Sequence, residues 1–272
     1  MALVPFPGAA RGDEDDPHVT LTDADELDNS GKMSFLEHLD ELRKRLIQAI
    51  LGLVVGCAIA YIFIGRIFDF IMQPLQQMLP GGNKLIFTSG AEPFMLYLKI
   101  GFFAGLFIAS PWVLWQVWLF IAPGLYSHEK KFAIPFVFLS TVFFVLGGVF
   151  CHYVAFPWTW KFFISFETPY MVFMPKIDEA FGLYTKMMLG FGLIFEMPTL
   201  VFFLARMGVI SARFLLRYFK YAVLIIFIVA AVISPGTDVM SQTIMAVPML
   251  GLYAISILVA WIFGKKRTAD AD

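Results

Sequence analysis

Glu196 stands out among the residues of this chain whose type and placement could do chemistry. It follows Gly192-Leu193-Ile194-Phe195 and precedes Met197-Pro198, so its sequence neighbours are apolar. Counted from Thr185 it lies about 16 Å into an apolar run at helical rise. An ionisable group that deep costs several kcal/mol against lipid, so it should face a cavity, a partner or water. The alternative is a protonated acid hydrogen-bonded inside a helix bundle. Pro198, two residues on, frees the carbonyl of Ile194 and adds a polar spot to the same turn.

Two further acids stand in basic company. Glu129 lies in the short stretch Pro123-Gly124-Leu125-Tyr126-Ser127-His128-Glu129-Lys130-Lys131. The lysines are topology determinants, a job for which an acid is not needed. A carboxylate beside headgroups can receive a guanidinium bidentately, with stronger electrostatics than in bulk water; a solvated side chain is the other reading. Upstream, Ser34-x-x-Glu37 is a capping box opening an amphipathic helix with Phe35, Leu39, Leu42 and Leu46 at helical spacing. Its polar side carries Asp40, Glu41, Arg43, Lys44 and Arg45. These could simply pair at i,i+4 on an interfacial helix, each pair worth a few tenths of a kcal/mol. A last polar group, Ser234-Pro235-Gly236-Thr237-Asp238 followed by Ser241-Gln242-Thr243, is either an outer turn or a hydrogen-bonding edge for a neighbouring helix.

The elements that must position these residues follow from composition. Hydrophobic residues make up 59% of the 272 and charged residues 15%, against roughly 45–50% and about 25% in soluble domains. Thirty-one Phe add more apolar surface than a soluble fold of this size could bury. The chain therefore reads as an all-α, polytopic integral membrane protein. Six stretches are apolar enough to span: about 46–65, 100–121, 132–156, 183–205, 218–234 and 243–263. The fifth, at about 25 Å, is shorter than the ~30 Å hydrocarbon core. Pro111, Pro135, Pro198 and Pro248 punctuate the spans as candidate kinks. Cys57 and Cys151 both fall in apolar runs, which argues against a disulfide framework. The four His are scattered singly, and there is neither a phosphate-binding loop nor a metal-ligand spacing.

Charge placement orients the spans. Arg43, Lys44, Arg45, Lys130, Lys131, Arg206, Arg213, Arg217, Lys220, Lys265, Lys266 and Arg267 fall on one side, against Arg66, Lys84, Lys99, Lys161, Lys176 and Lys186 on the other. The positive-inside rule puts both termini in the cytoplasm. Residues 1–32 then form a disordered acidic cytoplasmic tail, 33–264 the membrane domain and 265–272 a basic, then polar, cytoplasmic end. The net charge of −1 sums that acidic tail, a cationic rim and a poorly charged opposite face.

Four stretches in order resemble the TatC family, the six-span receptor component of the twin-arginine protein translocase. They are F-L-E-H-L-D-E-L-R-K-R-L (35–46), Q-V-W-L-F-I-A-P-G-L-Y-S-H-E-K-K (116–131), G-L-I-F-E-M-P (192–198) and D-V-M-S-Q-T-I-M-A-V-P-M (238–249). The resemblance implies a receptor in the bacterial cytoplasmic (inner) membrane, not an enzyme, with no cofactor and no nucleic-acid partner. Its partners would be twin-arginine signal peptides of folded cargo, single-span TatA-like and TatB-like subunits, other copies of itself and the lipid bilayer. Export would be driven by the proton-motive force. By the same resemblance Glu129 and Glu41 receive the paired arginines, and Arg43, Phe120, Leu125 and Tyr126 shape that site. Glu196 is the intramembrane acid facing a concave cup. Ser234, Asp238 and Gln242 meet partner helices, and Pro74 is a structural proline of the first outer loop, as Pro198 is of the fourth span. Where the family commonly reads two prolines and then Asp, this chain reads Pro235-Gly236-Thr237-Asp238.

Two other classes compete on the residues alone. A secondary carrier would use Glu196 as its ion site, although no second intramembrane acid or internal repeat accompanies it. A scaffold would only gather single-span helices.

Overall fold

A computed structural model describes residues 35–79, 84–121, 133–234 and 239–264. The acidic segment 1–32, the capping Ser34 and the end 265–272 lie outside the described residues. Nine helices run through the described chain: α1 (Phe35–Ile62), α2 (Ile64–Gln77), α3 (Glu92–Ile121), α4 (Ala133–Phe150), α5 (Phe156–Ile164), α6 (Ile177–Met207), α7 (Ala212–Arg217), α8 (Phe219–Ile233) and α9 (Val239–Phe263). A π turn, Cys151–Ala155, joins α4 to α5. Five stretches are long and apolar enough to cross a membrane, and α8 is a shorter apolar helix. The protein is an all-α, six-span membrane protein. In hydrocarbon a backbone polar group has no water to bond, so each crossing segment satisfies its own as a helix.

The chain divides into two compact units, Met1–Arg43 and Lys44–Asp272. The described part of the first is the opening of α1. In the second, α6 is the central element, packed along its length against α4 and α9; α8 packs on α9, and α3 on α4. Small residues let the backbones approach, as membrane packing requires. A Cβ on Gly147 of α4 would lie 2.5 Å from the Phe191 carbonyl oxygen and 2.8 Å from Gly192 Cα of α6. Between α1 and α3, a Cβ on Gly105 would lie 2.6 Å from Cys57 Cα.

Several helices overrun the apolar stretches that mark them in the sequence. The 31 residues of α6 span about 46 Å, well beyond the ~30 Å core. Hydropathy marks only the part of a helix in hydrocarbon, and the backbone continues past it where Glu92, Lys99, Asp178 and Lys186 begin. The 66–99 segment, read from sequence as an outer loop, contains most of α2. Its buried side is Ile71, Met72, Pro74 and Leu75, while Arg66, Asp69 and Gln73 are exposed. The stretch from Leu85 to Lys99 is stitched to the start of α6: Ile177 N–H donates to the Ile86 carbonyl at 2.8 Å, and Lys99 pairs with Asp178.

The prolines act differently from one another. Pro111, Pro198 and Pro248 sit inside continuous helices, and Pro135 falls in the first turn of α4, where its missing N–H costs nothing. Pro157, in the first turn of α5, follows the π turn, in which the Phe156 N–H reaches back to the Cys151 carbonyl. The wider turn accommodates a ring that would otherwise crowd the carbonyl of Tyr153.

The α4–α6 approach generates a test. Gly147→Ala should destabilise the protein by about 1–3 kcal/mol, because the methyl meets backbone that cannot move aside. Gly182→Ala, at a helical glycine with nothing within 4 Å of the added carbon, should be neutral or stabilising by up to about 1 kcal/mol. Thermal unfolding of both variants in the same detergent checks the contrast.

Candidate functional site

Glu196 lies midway along α6 and is only 7% exposed. The Ser140 hydroxyl of α4 faces its carboxyl. Glu196 Oε1, Ser140 Oγ, Thr199 Oγ1 and Gln116 Oε1 are buried without a hydrogen-bond partner among the described residues. They come from α6, α4 and α3, three helices that pack on one another. Sequence reasoning singled out Glu196 but missed Gln116, Ser140 and Thr199, because lone hydroxyls and amides within apolar spans carry no charge or spacing signal. The unmet groups accept or donate hydrogen bonds, and no nucleophile and base are paired there.

Toward the Met207 end of α6 the same three helices are closed by a ring cluster. Trp118 of α3 lies 4.7 Å from Phe136 of α4 and 4.8 Å from Phe203 of α6, between ring centroids. These rings hold both bases of the segment 122–132, since α3 ends at Ile121 and α4 begins at Ala133. Leu125, Tyr126 and Glu129 lie outside the described residues. Phe120 is half-buried in the last turn of α3. Glu41, half-buried, and Arg43, exposed, lie near the start of α1 in the first unit.

A second polar edge joins α8 to α9. Gln242 Nε2 donates to the Phe227 carbonyl at 2.7 Å, and Ser234 Oγ, at the C-cap of α8, donates to Ser241 Oγ at 2.9 Å. The structure thus brings Ser234 and Gln242 together across one helix pair, while Asp238 lies outside the described residues. Pro198 is buried two residues beyond Glu196, and Pro74 is buried within α2.

His152, a scattered single histidine in the sequence, is buried in the π turn. Its Nδ1 lies 2.8 Å from Tyr184 Oη, and its ring stacks on Phe70 at 4.2 Å. The partners are distant in sequence, so only the fold makes them a pair. Among the described residues no three His, Cys, Asp or Glu side chains group as metal ligands would.

Residues 37–248 match the family model described as Sec-independent protein translocase protein (TatC). The Sec-independent protein translocase protein TatC of Desulforapulum autotrophicum is 43% identical over 241 residues, covering 89% of each chain. That of Koribacter versatilis is 44% identical over 238 residues, covering 86% of this chain and 88% of its own. A crystal structure of the twin-arginine translocase receptor TatC in detergent superposes with a TM-score of 0.74 at 37% identity, over 82% of this chain and 99% of that one.

The α8–α9 edge makes a specific claim. Gln242→Leu removes a bond between helices and should cost about 0.6 kcal/mol, and at most ~2. Hydrogen exchange should speed up in the end of α8 around Phe227–Ile233 and leave α6 unchanged.

Proposed function

This chain belongs to the TatC family of Sec-independent protein translocase proteins, and from that premise we propose that it is the receptor subunit at the core of a twin-arginine translocase. It is a multi-pass membrane component of protein transport. In the proposed reading it lies in the bacterial inner membrane with both termini cytoplasmic. Segment 1–32 is then an acidic cytoplasmic tail, and 265–272 the cytoplasmic end of the last span.

The observation that supports this reading best is the placement of two acids in cationic company. Glu41 is followed by Arg43, Lys44 and Arg45, and Glu129 by Lys130 and Lys131, all within the matched stretch. A cationic rim at a membrane surface sets topology, and acids within it have no part in that. They are suited to receive a pair of arginines, whose planar guanidinium groups bind carboxylates bidentately where lysines cannot. Arg43, Phe120, Leu125 and Tyr126 shape the same receiving surface in this reading. The protein therefore binds its cargo's signal peptide and performs no covalent chemistry.

Glu196 serves a different step. Its unpaired Oε1, with Gln116, Ser140 and Thr199, is a polar site within the membrane span. A single-span partner of the TatA or TatB kind could supply the missing donor. Ser234, Asp238 and Gln242 mark the edge where such a helix docks, and other copies of the chain complete the assembly.

Two measurements test the two sites separately. Glu41→Ala with Glu129→Ala should weaken binding of a twin-arginine signal peptide about ten- to a hundredfold, as expected for lost charge-assisted bonds. A peptide with paired lysines should already bind weakly to the unaltered protein. Unchanged affinity in the double variant rejects the receptor assignment. Glu196→Ala, which removes the acceptor, should leave peptide binding intact and lower export of folded cargo about tenfold, the effect of one interhelical hydrogen bond of ~1–2 kcal/mol. Movement of a small solute by the reconstituted protein alone, dependent on Glu196, would instead identify a carrier.

A further inference from the structure

Between Glu196 and Asp238 the chain carries Arg206, Arg213, Arg217 and Lys220 and not one carboxylate. The fold sets the last three on a rigid ledge. Gly208, at φ 81°, stops α6 in a left-handed cap. Ser211 Oγ accepts the Phe214 N–H at 3.2 Å and starts α7. Leu215 is buried, and its carbonyl accepts Tyr253 Oη at 2.8 Å, so α7 is pinned to α9 through one side. Arg213, Arg217 and Lys220 are all exposed on the remainder. Among the described residues no carboxylate pairs with Arg213 or Arg217.

Exposed aromatic rings run alongside these cations. Phe214 and Tyr218 lie 4.6 Å apart between centroids and Tyr218 and Tyr221 6.0 Å, and Lys220 Nζ lies 5.0 Å from the Tyr221 ring. The depth of the ledge follows from connectivity, since α7 joins the end of one spanning helix to the start of another. It therefore sits where hydrocarbon gives way to headgroups.

We propose that α7 and the first turn of α8 form a binding site for the headgroup phosphate of anionic phospholipids. Arg213 and Arg217, at i and i+4, are neighbours on one helix face, about 5–6 Å apart at Cβ, and can bracket a single phosphate with Lys220 beside them. Orientation in the bilayer needs only the cations; exposed rings at the same level are what an interfacial lipid contact adds. Charge selects the occupant. A surface of three cations, two of them without a carboxylate partner among the described residues, repels cationic segments, and its exposed Leu216 and Phe219 suit acyl chains better than a soluble acidic peptide. This inference does not rest on the receptor function proposed above.

Native mass spectrometry of the full chain in a neutral detergent, titrated with phosphatidylglycerol, tests it. R213Q/R217Q/K220Q should raise the lipid concentration needed for the bound species about tenfold or more, since each cation near the surface adds to the attraction for an anionic headgroup. K265Q/K266Q/R267Q, which removes equal charge elsewhere, should leave it unchanged. The conservative R213K/R217K should retain most of the binding, and so reports on the site in a variant that keeps the surface charge. Equal loss in both triple variants, no loss in the first, or displacement of the lipid by inorganic phosphate would overturn the proposal.

Discussion

The absence of water in hydrocarbon governs this structure. Each crossing segment must bond its own backbone, so the spans are helices, and helices in lipid associate by close packing rather than by the hydrophobic effect. That is why the glycines matter where they do. Gly147 against Phe191 and Gly192, and Gly105 against Cys57, are places where one backbone lies directly on another. With α6 held between α4 and α9, the positions of Glu196 and Thr199 relative to Ser140 are settled.

The same constraint makes polar side chains informative. Many within the spans bond a backbone carbonyl: Tyr61 to Leu98, Trp112 to Gln48, Gln242 to Phe227 and Tyr253 to Leu215. Such bonds tie helix to helix without burying charge. Against that background Gln116, Ser140, Trp160, Glu196 and Thr199 differ, because each keeps an unmet buried atom; all but Trp160 belong to the three-helix site around Glu196. A buried polar atom without a partner costs about 1–3 kcal/mol or more.

At the ends of the helices, where water returns, the rules change. Helices α3 and α6 are longer than the hydrocarbon core; Lys99 of α3 pairs with Asp178 of α6, and Ile86, in the segment before α3, accepts the Ile177 N–H at the start of α6. At the opposite end the Trp118, Phe136 and Phe203 rings clamp the bases of the segment that carries Glu129.

The amino-acid sequence alone determined the fold class, the number of spans, the shortness of α8 and the isolation of Glu196. All of these follow from hydropathy and charge, properties each residue carries wherever it goes. Helix lengths were only partly legible, because hydropathy reports the bilayer and not the helix, and so α2 and the first turns of α3 and α6 escaped it. The tertiary structure alone decided the pairings: His152 with Tyr184, Gln242 with the Phe227 carbonyl, Leu215 with Tyr253. These join residues from different helices or different turns, and their geometry depends on helix rotation and crossing. Those are set by which small residues meet, and one-dimensional periodicity does not encode that choice.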